Sequence, residues 1–218
     1  PAVVPVEPGT QTIYNAVANA NVGDVLELTD GVYNETNTVI IDKALEIRAA
    51  SGKNPTINAK RFTVRSHFIL DGVTFDGNLT NTEAIRIDEG QNLVVKILNS
   101  NIQNFTSRGI NLYATSSEVM YVDSLIVDGC MFKNVLRVIN AASAPTQVKS
   151  ISIKNSTFDK INQDGYFIYI YASATTDLVK VVIDQCTFYN WFSRRGVYLA
   201  NIDYAIVKNC IASFSETV

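Results

Sequence analysis

Arginine, asparagine and tyrosine recur in this chain at intervals that would line them up on one face of a repeating structure. Arg86, Asn111, Asn140, Tyr169 and Tyr198 each follow one apolar column, made of Ile85, Ile110, Ile139, Ile168 and Val197. The members of that column follow one another at nearly even steps. Two positions further lie Asp88, Tyr113, Ala142, Tyr171 and Ala200, and near the start of each segment stand Glu83, Arg108, Arg137, Tyr166 and Arg195. An arginine fork grips a carboxylate or sulfate in two places. Asparagine both donates and accepts, and tyrosine offers an apolar ring with a polar tip. Together these types suit a sugar polymer, and the arginines favour an acidic one. The expected binding set is Arg86, Asn111, Tyr113, Asn140, Tyr169, Tyr171, Arg195 and Tyr198.

Bond-breaking chemistry would ask for more. A proton abstracted next to a carboxylate needs a base, for which Arg108, Arg137 and Lys133 are the candidates. Glu83 and Asp88 are the only carboxylates on the same expected face, as a hydrolytic pair or as ligands to a calcium ion. No cofactor is expected apart from such a calcium.

The elements that must position these residues are read from the rest of the repeat. Gly72, Asn99, Gly129, Asn155, Gln185 and Asn209 recur with the same rhythm as the polar columns. Gly and Asn adopt a left-handed backbone most easily, so their exchange predicts a tight corner with φ > 0; Gln185 fits that rule worst. A compact column follows (Val73, Ser100, Cys130, Ser156, Cys186, Cys210). Two residues on comes a large apolar one (Phe75, Ile102, Phe132, Phe158, Phe188), fading to Ala212. The cysteines therefore read as free core fillers, although Cys186 and Cys210 fall in adjacent repeats. Trp191 aligns with Phe105, Val135 and Ile161 and is expected to pack a corner.

Short strands, tight corners, no interior helix and a period slightly under roughly 30 residues predict a single-stranded right-handed parallel β-helix, an all-β solenoid. A leucine-rich repeat would need a Leu/Asn framework that is missing, and a propeller would need longer antiparallel units. Residues 1–9 read as an N-terminal extension or linker, and 10–218 as the solenoid. Ile13, Val17 and Ala20 predict a capping helix within residues 10–22, with Thr10 or Thr12 as its N-cap. The last coil reads as unfinished, so the native protein is expected to continue.

Bulk properties narrow the class. The 218 residues, 47% hydrophobic and 18% charged, describe one globular domain. No apolar run reaches the roughly 20 residues of a membrane span. A net charge of −3 and a pI of about 5.2 argue against nucleic acid as a partner. The single histidine, His67, argues against a His-rich metal site or a Ser-His-Asp triad.

Residues 10–77 resemble the amino-terminal part of bacterial pectate-lyase-like β-helix proteins, the chondroitinase-B and alginate-lyase type in particular. The matching elements are the cap helix, "VGDVLELTDGVY", "IRAASGKNPTI" and "FILDGVTFDG". The resemblance implies an exported protein (periplasmic, cell-surface or secreted) acting on a polysaccharide. That family uses a Lys and an Arg as base and acid, with calcium held by Asn and Glu. No segment here matches those motifs, so no catalytic residue is carried over. The expectation is a monomeric, exported, polysaccharide-binding β-helix. The alternatives are a polysaccharide lyase acting by β-elimination and a structural or adhesive solenoid.

Overall fold

The computed structural model describes residues 1–114, 120–141, 146–161, 166–171, 178–191 and 196–214. Three parallel sheets wind around one core. The first runs from Val3–Val6 to Tyr204–Lys208 and the second from Gly9–Thr10 to Ile211–Phe214, with nine strands each. The third has seven strands, from Val39–Ile41 to Val197–Ala200. Each complete coil visits first, second and third sheet in turn and pairs in register with its neighbours, the parallel β-helix that the repeat predicts.

Alternation along each strand supplies the core. Leu26, Ile47, Leu70, Ile97, Val127, Ile153 and Ile183 form one fully buried column on the first sheet. On the second sheet the aromatic column is continuous at its later end. Phe132 stacks on Phe158 at 5.4 Å and 11°, and Phe158 on Phe188 at 5.0 Å and 16°. Burial of each such side chain contributes about 1.5–3 kcal/mol.

The predicted corner joins the first sheet to the second. Gly72, Asn99, Gly129, Asn155, Gln185 and Asn209 all have φ between 46° and 73°, Gln185 included. The structure also shows why the residue type changes. Asn99 donates its side-chain amide to Asp71 of the preceding coil at 2.9 Å, Asn155 to Asp128 at 2.8 Å and Asn209 to Asp184 at 2.9 Å. Below Gly72, Gly129 and Gln185 the equivalent residues are Arg48, Leu98 and Lys154, which offer no carboxylate. A Cβ on Gly129 would lie 2.7 Å from Asn99 Oδ1, so the glycine makes room for the clip beneath it. Asn thus stands where it can clip and Gly or Gln where it cannot. The full repeat is two coils: "LDGVTF", "VDGCMF" and "IDQCTF" alternate with "ILNSNI", "IKNSTF" and "VKNCIA". A second corner, between second and third sheets, reuses the device. Asn104 and Asn190, at φ 60° and 51°, donate to Asp76 and Asp159 at 3.0 and 2.8 Å.

The amino-terminal end departs from expectation in two ways. Residues 1–9 are not a linker. Val3–Val6 pairs with Val25–Leu28 as an edge strand of the first sheet, where Pro5 is tolerated. Gly9–Thr10 pairs with Tyr33 and Asn34. The cap helix, Thr12–Asn19, buries Ile13 and Val17 over the core. Neither Thr10 nor Thr12 caps it. The backbone N–H groups of Ile13 and Tyr14 are taken by the Glu35 carboxylate of the next coil, at 2.8 and 3.1 Å. A charged acceptor there also complements the helix dipole.

The cysteines are free, and burial pushes the Cys130 thiol up to about 12 and that of Cys186 to about 11. Strand register places Trp191 beside Ile161. No helix among the described residues is long and apolar enough to cross a membrane.

Candidate functional site

The third sheet brings the recurrent polar residues together. Thr63, Arg86, Asn111, Asn140, Tyr169 and Tyr198 stand side by side in consecutive coils. Glu83, Arg108, Arg137 and Tyr166 form a second register line beside them. Tyr113 and Tyr171 follow the same strands at their far ends, 45% and 36% exposed. Arg195 lies outside the described residues.

Glu83 is the centre of this face and is only 1% exposed. Arg86 reaches its Oε2 through both Nε and Nη2 at 2.7 Å. Arg108 Nη1 and Asn111 Nδ2 each donate to Oε1 at 2.9 Å, and Arg61 Nη1 approaches Oε2 at 3.5 Å. The amide line continues from there, with Asn140 Nδ2 donating to Asn111 Oδ1 at 2.8 Å. Asn111 and Asn140 are 1% and 4% exposed. The alternation of the strands predicts that both are displayed toward a ligand. Instead they form a buried, hydrogen-bonded ladder that starts at the Glu83 carboxylate. Such a ladder polarises along its length and holds its charged end firmly.

Beyond Asn140 the face becomes aromatic. The Arg137 guanidinium lies 5.7 Å from the Tyr166 ring centre and 5.3 Å from that of Tyr169. Tyr169 stacks on Tyr198 at 5.1 Å and 15°. Arg86 covers Tyr113 in the same way as Arg137 covers its rings, at 5.5 Å. Each contact is a cation–π pair that fixes a flexible side chain.

Three guanidiniums, of Arg61, Arg86 and Arg108, converge on the Glu83 carboxylate, and a fourth, of Arg137, stands one coil beyond Arg108. The strip is thus locally positive in a chain whose net charge is −3. Field from clustered charge attracts anions whatever the net charge. Arg61 escapes the sequence reading. The signal is present, since it directly precedes Phe62-Thr63-Val64, the coil in register with Ile85-Arg86-Ile87.

Other expected residues are separated from the strip or fit other roles. Lys133 is on the second sheet, 3.7 Å from Asp159, and is no part of this face. Asp88 is tied to Arg65, with Nε to Oδ1 at 2.9 Å. Glu83 and Asp88 do not fit a calcium site, because guanidiniums already occupy their oxygens and repel a cation. No group of three or more His, Cys, Asp or Glu able to hold a metal occurs among the described residues. His67 accepts the Val94 backbone N–H at 3.0 Å, a structural bond. Three shallow hollows of about 270, 330 and 320 Å³ lie on other surfaces, and none is lined by the arginines and tyrosines of this strip.

No family model and no curated protein matches the sequence. Solved structures do. The PL6 family alginate lyase AlyGC superposes with a TM-score of 0.65 at 17% identity, over 97% of this chain and 40% of the lyase. A point mutant of that lyase gives 0.66, again at 17% identity, over 98% and 40%. A Geobacillus virus E2 protein, ORF18, gives 0.48 at 11% identity, over 97% and 62%. The chain therefore spans about 40% of the length of the lyase, and what it has in common with that enzyme is the parallel β-helix fold.

Proposed function

We propose that the third-sheet strip binds an acidic polysaccharide laid along the solenoid axis, in an exported protein. The observation that carries this is the cluster of four guanidiniums beside a single buried carboxylate, in register with tyrosines over successive coils. Rungs are about 4.8 Å apart, so a polymer following the axis meets a new arginine or tyrosine at each coil. A long open strip suits a polymer better than a closed pocket would. The alginate lyase that shares the fold acts, by its name, on such a polymer, which agrees with this reading.

β-Elimination is the second reading, favoured by the same likeness. It asks for a base beside a group that neutralises the substrate carboxylate. Arg108 and Arg137 fit the neutralising role, but an arginine keeps its proton and serves poorly as the base. Lys133 is on another sheet. Binding is therefore the reading the residues support best.

The test is affinity electrophoresis against alginate, pectate, chondroitin and neutral glycans, with ultraviolet absorbance followed for unsaturated uronate ends. Retardation by acidic gels that weakens with added salt is the expected result. A rise in absorbance would establish elimination. Equal retardation by neutral gels would overturn the preference for an acidic polymer, and none at all would leave a structural or adhesive solenoid.

A further inference from the structure

We infer that Arg137 seats the acidic group of the ligand, at the boundary between the arginine coils and the tyrosine coils. This rests on the reading of the strip as a site for an acidic glycan.

Arg108 and Arg137 are register neighbours, one coil apart, yet their surroundings differ. Arg108 is bonded to Glu83 at 2.9 Å, and Arg61 and Arg86 share the same carboxylate. Arg137 has no carboxylate partner among the described residues. Its side chain makes one polar contact there, a long 3.4 Å approach of Nη1 to Asn140 Oδ1. Its Nε is buried without an acceptor, as is that of Arg108, so the difference between the two lies in the carboxylate that Arg108 has and Arg137 lacks. The guanidinium is nevertheless held in place, against the Tyr166 and Tyr169 rings. A cation that is pre-positioned, partly desolvated and uncompensated gains most from an incoming anion. Its remaining N–H groups can form a charge-assisted pair with two anionic oxygens. The three guanidiniums on Glu83 gain less, since their attraction is already shared with a fixed carboxylate.

The geometry also orients the ligand. A sugar whose acidic group rests on Arg137 has the stacked pair Tyr169 and Tyr198 in the next coils, where Tyr198 is 41% exposed. The chemistry recognised is an anionic substituent on a sugar ring. A uronate carboxylate and a sulfate ester both satisfy it.

The experiment is calorimetric titration of the full chain with two probes, oligogalacturonate and sulfated dextran oligomers. Whichever probe binds the unaltered chain more tightly identifies the anion as carboxylate or sulfate. For that probe, Arg137→Ala is expected to weaken binding at least about tenfold, and Arg108→Ala only about two- to threefold. Arg137→Lys should fall between, because it keeps the charge but loses the fork and the ring contacts. Circular dichroism checks that each variant is folded; if Arg137→Ala is not, the Arg137→Lys comparison carries the test. Equal losses for Arg108→Ala and Arg137→Ala, or no loss on Arg137→Lys when Arg137→Ala is unfolded, would overturn the assignment and leave the strip as a diffuse site. Absence of binding by both probes would overturn the strip reading and the assignment together.

Discussion

Two sets of asparagines link coil to coil in this solenoid, and they do so for different reasons. At the first corner Asn99, Asn155 and Asn209 are exposed, left-handed and bonded to an aspartate one coil back. On the third sheet Asn111 and Asn140 are extended, buried and bonded one coil back, Asn111 to Glu83 and Asn140 to Asn111. The donor and the direction are the same in both. At the corner the backbone sets the requirement, so Gly72 and Gly129 do the same work without an amide. On the sheet no conformation needs relief, and the amide's value is the link itself. A repeated residue type therefore does not reveal its role; backbone angle and burial do.

The largest effect is expected at Glu83. Glu83→Leu removes the buried acceptor that holds three guanidiniums and the end of the amide ladder. A loss of about 2–4 kcal/mol is expected in urea unfolding, below the value for a fully buried pair because the arginines are partly exposed. A loss under about 1 kcal/mol would show that the network is only surface decoration.

The two asparagine sets should then separate. Asn111→Leu leaves buried donors and acceptors unpaired and is expected to cost about 1–3 kcal/mol. Asn99→Gly keeps the left-handed corner and loses one exposed bond, for about 0.5 kcal/mol. Equal losses, measured by the same urea unfolding, would erase the distinction drawn between them.

The smallest effect is a coupling. Gly129→Asn places a side chain against Asn99 and should destabilise by about 1–2 kcal/mol. In the Asn99→Gly background the same change should cost less, by about 0.5–1 kcal/mol, measured as a double-mutant cycle. Additivity would mean that the clip and the glycine above it are independent.

Much of the frame is legible in sequence because strand alternation and left-handed corners constrain residue type directly. The corner residues and the aromatic column follow from those rules, with Gln185 placed by its position in the repeat, and the cap helix follows from the helical spacing of Ile13 and Val17. The two-coil period is equally visible in the alternation of Asp71, Asp128 and Asp184 with Leu98, Lys154 and Lys208, but anchoring on one column hides it. Residues 1–9 read as an extension or linker, whereas Val3–Val6 is an edge strand, which needs only one partner. The strip is half legible. Alternation tells which side of a sheet a residue takes, and so it groups Arg86, Arg108, Arg137, Tyr169 and Tyr198 correctly. It does not tell depth, so Asn111 and Asn140 read as displayed although they are buried and bonded to one another. Nor does it pair charges across coils. Sequence alone therefore does not show that guanidiniums surround Glu83, and it sets Lys133 near the arginines although it lies on the second sheet.

The corner clips also constrain how such a chain can change length by duplication. Asp71, Asp128 and Asp184 each stand two coils from the next. Copying one coil would set an aspartate beneath a glycine or an asparagine above a leucine, and would leave the added residue without a clip at the seam. Copying two coils preserves every clip and every glycine that accommodates one. The heritable unit of this solenoid is therefore a matched pair of coils.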